Sequence, residues 1–167
     1  RFFLVDKDGL LLDDNTNLLS FQKPFAQSNQ AISSWRLQNP DRISLQDVIQ
    51  NAHPTVLIGV SGQAGEFSEH IIREMARHVE RPIIFPLSNP TSRSEAAPAD
   101  LLKWTNDRAI IGTGSPFGAV EKNGKIWRVD QTNNCYIFPG MGLGLIAVKS
   151  RRVTDKMFMH AAQALAE

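Results

Sequence analysis

The sequence holds a single cysteine, Cys135, so no disulfide can close within the chain and a reducing, cytoplasmic setting is expected. No apolar run approaches the roughly 18 residues that a membrane-spanning helix requires. Neither sign of charge is in excess: 18 Lys and Arg stand against 17 Asp and Glu, interspersed, for a net charge of +1. That balance points away from nucleic acid and from a membrane surface as partners. No initiating Met and no leader precede Arg1-Phe2-Phe3-Leu4-Val5-Asp6, which reads as a strand already under way. The expectation is a piece of a longer protein, with structure missing upstream. Ser/His/Asp and Cys/His constellations are also lacking. The four histidines, His53, His70, His78 and His160, fall on helices or at their ends, and no two have zinc-ligand spacing with a third ligand near. The acids read as solvated helix faces. No catalytic residue and no metal ligand are therefore expected in this chain.

What is present is organised around Thr55 to Arg93. Thr55–Val60 (TVLIGV) is short, apolar and β-branched, as for a strand buried on both faces of a parallel sheet. It breaks into Ser61-Gly62-Gln63-Ala64-Gly65, where glycine permits a sharp turn or close approach to a ligand. Ser68 stands at an N-cap position before the amphipathic run Ile71, Ile72, Met75, Ala76 and Val79. Pro82 ends that helix, and Ile83-Ile84-Phe85 begins the next strand. In open α/β sheets ligands bind outside the carboxyl ends of the strands, so the loops after these two strands are the first place to look for a site.

The flanking sequence fits the same class. At 167 residues and 42% hydrophobic, the chain can build one domain with a real core. Phe2–Val5 reads as a strand ending at Asp6, where an acid can accept hydrogen bonds from a dinucleotide's ribose hydroxyls. The matching glycine fingerprint would then lie before Arg1. A turn opening Asp6-Lys7-Asp8-Gly9 is the plainer alternative. Leu10–Leu12 extends a short strand, and Leu18–Asn39 reads as loop with one short helix, with Phe21, Phe25 and Trp35 as core plugs. Ser44 to Asp47 forms a capping box opening a helix to about Asn51; His53 reads as its C-terminal residue. Ala97–Thr105 is helical, Arg108–Ile111 a strand, and Asn123-Gly124 a two-residue hairpin turn within Val120–Val129. An apolar, glycine-rich stretch runs to Val148, suited to close packing, and Thr154 caps a final helix over Asp155–Glu167.

Neutral polar pairs stand at successive strand exits: Ser61-Gly62, Ser88-Asn89, Gly114-Ser115 and Asn133-Asn134. Asn offers a donor and an acceptor without charge, so it can orient a carboxamide or a carboxylate. Each Asn taken alone reads first as a turn former.

Taken together, Ile58-Gly59-Val60-Ser61-Gly62, Pro86-Leu87-Ser88-Asn89-Pro90-Thr91, Gly114-Ser115-Pro116-Phe117 and Asn133-Asn134-Cys135-Tyr136-Ile137-Phe138-Pro139-Gly140 resemble the carboxyl-terminal half of a malic enzyme, over essentially the whole chain. Such enzymes oxidise malate and decarboxylate it to pyruvate with NAD or NADP and a divalent metal. The resemblance implies that Asp6, Ser61, Gly62 and Asn89 contact the cofactor, and that Asn89, Asn133 and Asn134 hold the substrate. NAD is favoured over NADP, because Asp6 repels a 2′-phosphate and Gln22 stands where NADP-using relatives carry Lys, although Lys23 lies beside it. Mn²⁺ or Mg²⁺ would bind the complete protein through residues outside this chain.

The expected fold is α/β: a partial Rossmann-type sheet of roughly four parallel strands flanked by helices, with a small hairpin and two C-terminal helices. Its first βα unit, with the glycine fingerprint, would be missing upstream. Residues 1–133 would be the truncated nucleotide-binding domain. Residues 134–167 would be a helical segment that in the family packs back on the catalytic domain. Without that partner the apolar stretch 137–148 should stay exposed or drive self-association, and the parent is expected to be a homo-oligomer, dimer or tetramer. The chain alone is expected to be inactive. The competing classes are a non-catalytic nucleotide- or metabolite-sensing module and a different 2-hydroxy-acid dehydrogenase.

Overall fold

The chain opens on a hairpin rather than on a strand of the main sheet. In the computed structural model, which describes residues 1–167, strand β1 (Val5–Asp6) pairs antiparallel with β2 (Gly9–Leu10) across the turn Lys7-Asp8. The expected strand Phe2–Val5 is thus displaced towards its end and takes no part in the parallel sheet. Gly9, at φ +106°, makes this tight return possible. The chain forms two compact units, Arg1–Gln131 and Thr132–Glu167.

The first unit is built on a four-stranded parallel sheet in the order β3 (Val56–Gly59), β4 (Ile83–Pro86), β5 (Ile110–Thr113), β8 (Asp130–Gln131). Helix α3 (Glu69–His78) makes the crossover from β3 to β4, and α4 (Pro98–Trp104) that from β4 to β5. The hairpin β6 (Val120–Lys122) and β7 (Lys125–Trp127) lies between β5 and β8. Its turn residues Asn123 and Gly124 both have positive φ, as the expected two-residue turn demands. The edge strand β8 has no counterpart in the sequence reading.

Helix caps follow the sequence closely. The Ser68 hydroxyl accepts from Ile71 N, and Ser44 and Asp47 make a reciprocal capping box at the start of α2 (Leu45–Ala52). His53, at φ 46°, is the left-handed C-cap of α2. Before it come the four-residue α1 (Asn29–Ile32) and a 3₁₀ turn at Lys23–Phe25.

Ile49 of α2 joins Leu57, Phe67, Ile71, Ile72, Met75, Ile84, Ala96 and Leu101 in the main core. Full burial of each large aliphatic chain contributes about 1.5–3 kcal/mol. Val48, on the adjoining side of α2, belongs to a second cluster with Leu10, Ile32 and Ile43, against which Trp35 packs. Phe21 and Phe25 do not plug this core: they are exposed, because the loop that carries them lies on the surface.

Strand β3, at one edge of the sheet, is buried on one face only. Leu57 and Gly59 point inward, while Val56, Ile58 and Val60 are 43%, 54% and 77% exposed. The expectation of burial on both faces fails because α2, α3 and α4 pack into a single cluster with Leu57 and Ile84, on one side of the sheet. At the amino edge of the sheet Arg108 closes the helix ends: its guanidinium donates to the carbonyls of Ala76, Val79, Glu80 and Thr105.

The second unit consists of a 3₁₀ turn at Asn134–Tyr136, α5 (Phe138–Ala147) and α6 (Asp155–Ala166), the latter capped by Thr154. A groove between its helices is lined by Ile137, Met141, Leu145, Met157 and Ala161 among others. Within this unit Phe138, Leu143, Ile146 and Val148 remain largely exposed.

Candidate functional site

Three strand exits meet at the carboxyl edge of the parallel sheet, and Glu95 ties two of them together. Its side chain is fully buried, with no Lys, Arg or His at ion-pair distance. Oε1 accepts from Ser61 N (2.8 Å), Ser61 Oγ (2.9 Å) and Ser88 Oγ (2.5 Å), and Oε2 from Ser88 N (3.3 Å). The Ser88 hydroxyl in turn accepts from Gly62 N at 2.8 Å. Backbone bonds from Gly65 N to Ser94 O and from Phe67 N to Glu95 O fasten the rest of the glycine loop to the same segment. Burial pushes the Glu95 carboxyl up, but the hydrogen bonds from Ser88, from its own backbone N–H and from Ser61 outweigh this and hold it below the usual glutamate range.

Two glycines make room for this arrangement. A Cβ at Gly59 would lie 2.6 Å from Glu95 Cδ and 2.7 Å from Phe67 Cζ. A Cβ at Gly114 would collide with the Leu87 backbone, while its N–H donates to Pro86 O at 3.1 Å. The β4 and β5 exits therefore run in direct backbone contact. Ser115, buried, donates its hydroxyl to Asn89 Oδ1 in a short hydrogen bond. Asn89 itself is exposed, and its Nδ2 makes only a long 3.4 Å contact with Leu87 O. The amide is thus held by its oxygen, and at this exposed position one of its two Nδ2 protons is left without a partner.

The residues proposed from sequence fall into three places. Ser61, Gly62 and Asn89 come together at the carboxyl edge. Ser61 N, Ser61 Oγ and Gly62 N are all engaged in internal hydrogen bonds. Asp6 lies apart from them, in the β1–β2 hairpin, exposed, accepting from Lys7 N (2.7 Å) and from Gln22 Nε2 (3.1 Å). Asn133 and Asn134 belong to the second unit. Asn133 is the N-cap of the 3₁₀ turn, its Oδ1 accepting from Cys135 N at 3.0 Å, and Asn134 is exposed.

Sequence reasoning missed Glu95, reading the acids other than Asp6 and the capping Asp47 as solvated faces; Asp47 is buried too, hydrogen-bonded to Ser44 and Gln38 N. A signal for Glu95 was present. It sits between Ser94 and Ala96-Ala97, without the charged neighbours of an exposed helix face.

The edge suits a dinucleotide. Gly62, at φ +67° with open space where a Cβ would stand, admits close approach; Asn89 presents a carboxamide donor; and the buried Thr113 Oγ1, at the β5 exit, has no hydrogen-bond partner. A divalent cation finds no such match, since no three His, Cys, Asp or Glu side chains converge. Fold and edge together define a Rossmann-type α/β domain. The family model described as malic enzyme, NAD binding domain, matches residues 1–167, and the chain belongs to that family. It is 55% identical over 167 residues to an NAD-dependent malic enzyme of Shewanella woodyi, covering all of this chain and 30% of the relative. Proteins of the same name from Sodalis glossinidius and Acinetobacter baylyi are 54% and 53% identical, again over the whole chain and over 29% of each relative. The chain thus spans under a third of the length of these relatives.

Proposed function

We propose that this chain is the NAD-binding portion of an NAD-linked malic enzyme, which converts malate to pyruvate and CO₂ with Mn²⁺ or Mg²⁺. The observation that supports the reading is the convergence of Ser61-Gly62, Ser88-Asn89 and Gly114-Ser115 at one sheet edge, with the Asn89 amide exposed and held through its oxygen. NAD, when bound, accepts a hydride from the substrate carbon; the residues here bind and orient. Gly62 lets the cofactor approach the backbone, and Ser61 and Ser88, held from below, keep that floor fixed. Asn89 donates from its amide towards the nicotinamide side and the substrate. Asn133 and Asn134 serve as further neutral donors to malate, whose two carboxylates are recognised without adding charge near the transferring hydride. Asp6 accepts from the adenosine ribose and disfavours the 2′-phosphate of NADP. The residues of this chain make no cation site, so no step is assigned to the metal here. The complete enzyme is a cytoplasmic homo-oligomer.

The test is malate-dependent NAD reduction, with pyruvate detected, by the full-length protein in the presence of Mn²⁺, beside Asn89→Ala. Metal-dependent activity that collapses in the variant is the expected result. NAD binding without turnover of malate would favour a sensing module or another 2-hydroxy acid.

A further inference from the structure

The Glu95 carboxylate is an acceptor surrounded only by donors. Four hydrogen bonds reach it from two residues on two different loops, Ser61 after β3 and Ser88 after β4. No cation balances its charge, and a buried carboxylate without a cation is retained only where hydrogen bonds compensate it. These bonds have a directional consequence. Because the Ser88 hydroxyl gives its proton to Glu95, its lone pairs face the Gly62 N–H, and that contact fixes the left-handed Gly62. Ser88 leads directly into Asn89, whose amide is oriented by Ser115.

Resting on the reading just given, we propose that Glu95 is a positioning residue for the nicotinamide cofactor: it clamps the β3 and β4 exit loops into one rigid floor on which Ser61, Gly62 and Asn89 take their binding geometry. An amide in its place is nearly isosteric but carries two donors into a shell of donors. At least one of the Ser61 or Ser88 N–H or O–H groups would then face another donor and turn away. The loops would separate while the core beneath them, made by Leu57, Ile84 and Leu101, stayed packed.

The experiment compares Glu95→Gln and Ser88→Ala with the wild-type full-length protein by NADH fluorescence titration, steady-state kinetics and thermal unfolding. Ser88→Ala removes the relay to Gly62 but leaves the Ser61 bonds to Glu95, so it reports on the clamp if Glu95→Gln fails to fold. The expected result is an NADH Kd raised about tenfold in Glu95→Gln and about threefold in Ser88→Ala, the scale of lost buried hydrogen bonds. The KM for malate at saturating NAD should rise as well, because Asn89, which also faces the substrate, takes its geometry from the same floor. A lowered Tm with Kd unchanged in the folded variants, or unchanged affinity in Ser88→Ala alone, would overturn the proposal and show a merely structural group. Wild-type protein that binds no NADH would overturn the NAD-binding reading itself, and this inference with it.

Discussion

The Leu87 backbone occupies the space that any side chain at position 114 would need, with Leu87 Cα 2.8 Å from where a Cβ would start. The close approach joins the β4 and β5 exits and brings Ser115 to Asn89. Gly114→Ala must push the two loops apart, so overpacking should destabilise the chain by about 1–3 kcal/mol. Gly62→Ala meets open space and bears only the penalty of a left-handed residue, roughly 1 kcal/mol. Thermal unfolding of the two variants is expected to rank Gly114→Ala below Gly62→Ala. The reverse order would mean that the loops separate freely.

Acid should weaken the fold through two buried carboxylates. Burial pushes the Asp47 carboxyl up, but hydrogen bonds from Ser44 and Gln38 outweigh it and leave the group low; Glu95 is low for the corresponding reason. Folded values below the unfolded ones mean that the unfolded chain binds protons first as pH drops. The stabilisation is complete above the unfolded values of about 4 and fades as pH falls through the lower folded ones. Denaturant midpoints measured from about pH 6 downward should therefore decline. Asp47→Asn should be less stable at neutral pH, by about 1 kcal/mol for the lost cap, and should decline less steeply in acid.

Asn89→Asp separates the two ends of that side chain. A carboxylate oxygen still accepts from the Ser115 hydroxyl, so the fold should be kept, with Tm close to the wild type. The exposed donor becomes an anion, and the full-length protein should lose on the order of a hundredfold or more in malate turnover, since an acidic substrate then meets like charge. Retained activity would remove Asn89 from the substrate's surroundings.

The exposed apolar residues of α5 lead to an association test. Leu143 and Ile146 of α5 and Val148 just after it are 70%, 76% and 71% exposed, a grouping of apolar side chains of the kind that marks association surfaces. Sedimentation of the chain should show concentration-dependent self-association, reduced in Leu143→Glu/Ile146→Lys. A single monomeric species at every concentration would contradict it.

Much of the first unit is legible in the sequence because local chemistry and global fold agree there. Ser44 and Ser68 each cap the helix expected of them, as Thr154 does in the second unit, Asn123-Gly124 turns the hairpin, and the runs 56–59 and 83–86 pair as parallel neighbours. The unread parts are those fixed by distant partners. β8 is two polar residues whose strand character comes only from pairing Gly112 with Asp130 and Thr113 with Gln131. The alternation of Val56 to Val60 between inside and outside depends on which face the helices cover. Ser61 and Asn89 are recognisable as polar loop residues, but the acceptor that aligns Ser61 with Ser88 lies 34 residues from Ser61 in the chain.

The parallel sheet is fastened at its two ends by opposite kinds of group. Glu95, at the carboxyl edge, only accepts; Arg108, at the amino edge, only donates, and only to main-chain carbonyls. Substitutions around Arg108 alter how firmly the helix ends are anchored, whereas substitutions around Glu95 alter at once how firmly the loops are held and what they can hold.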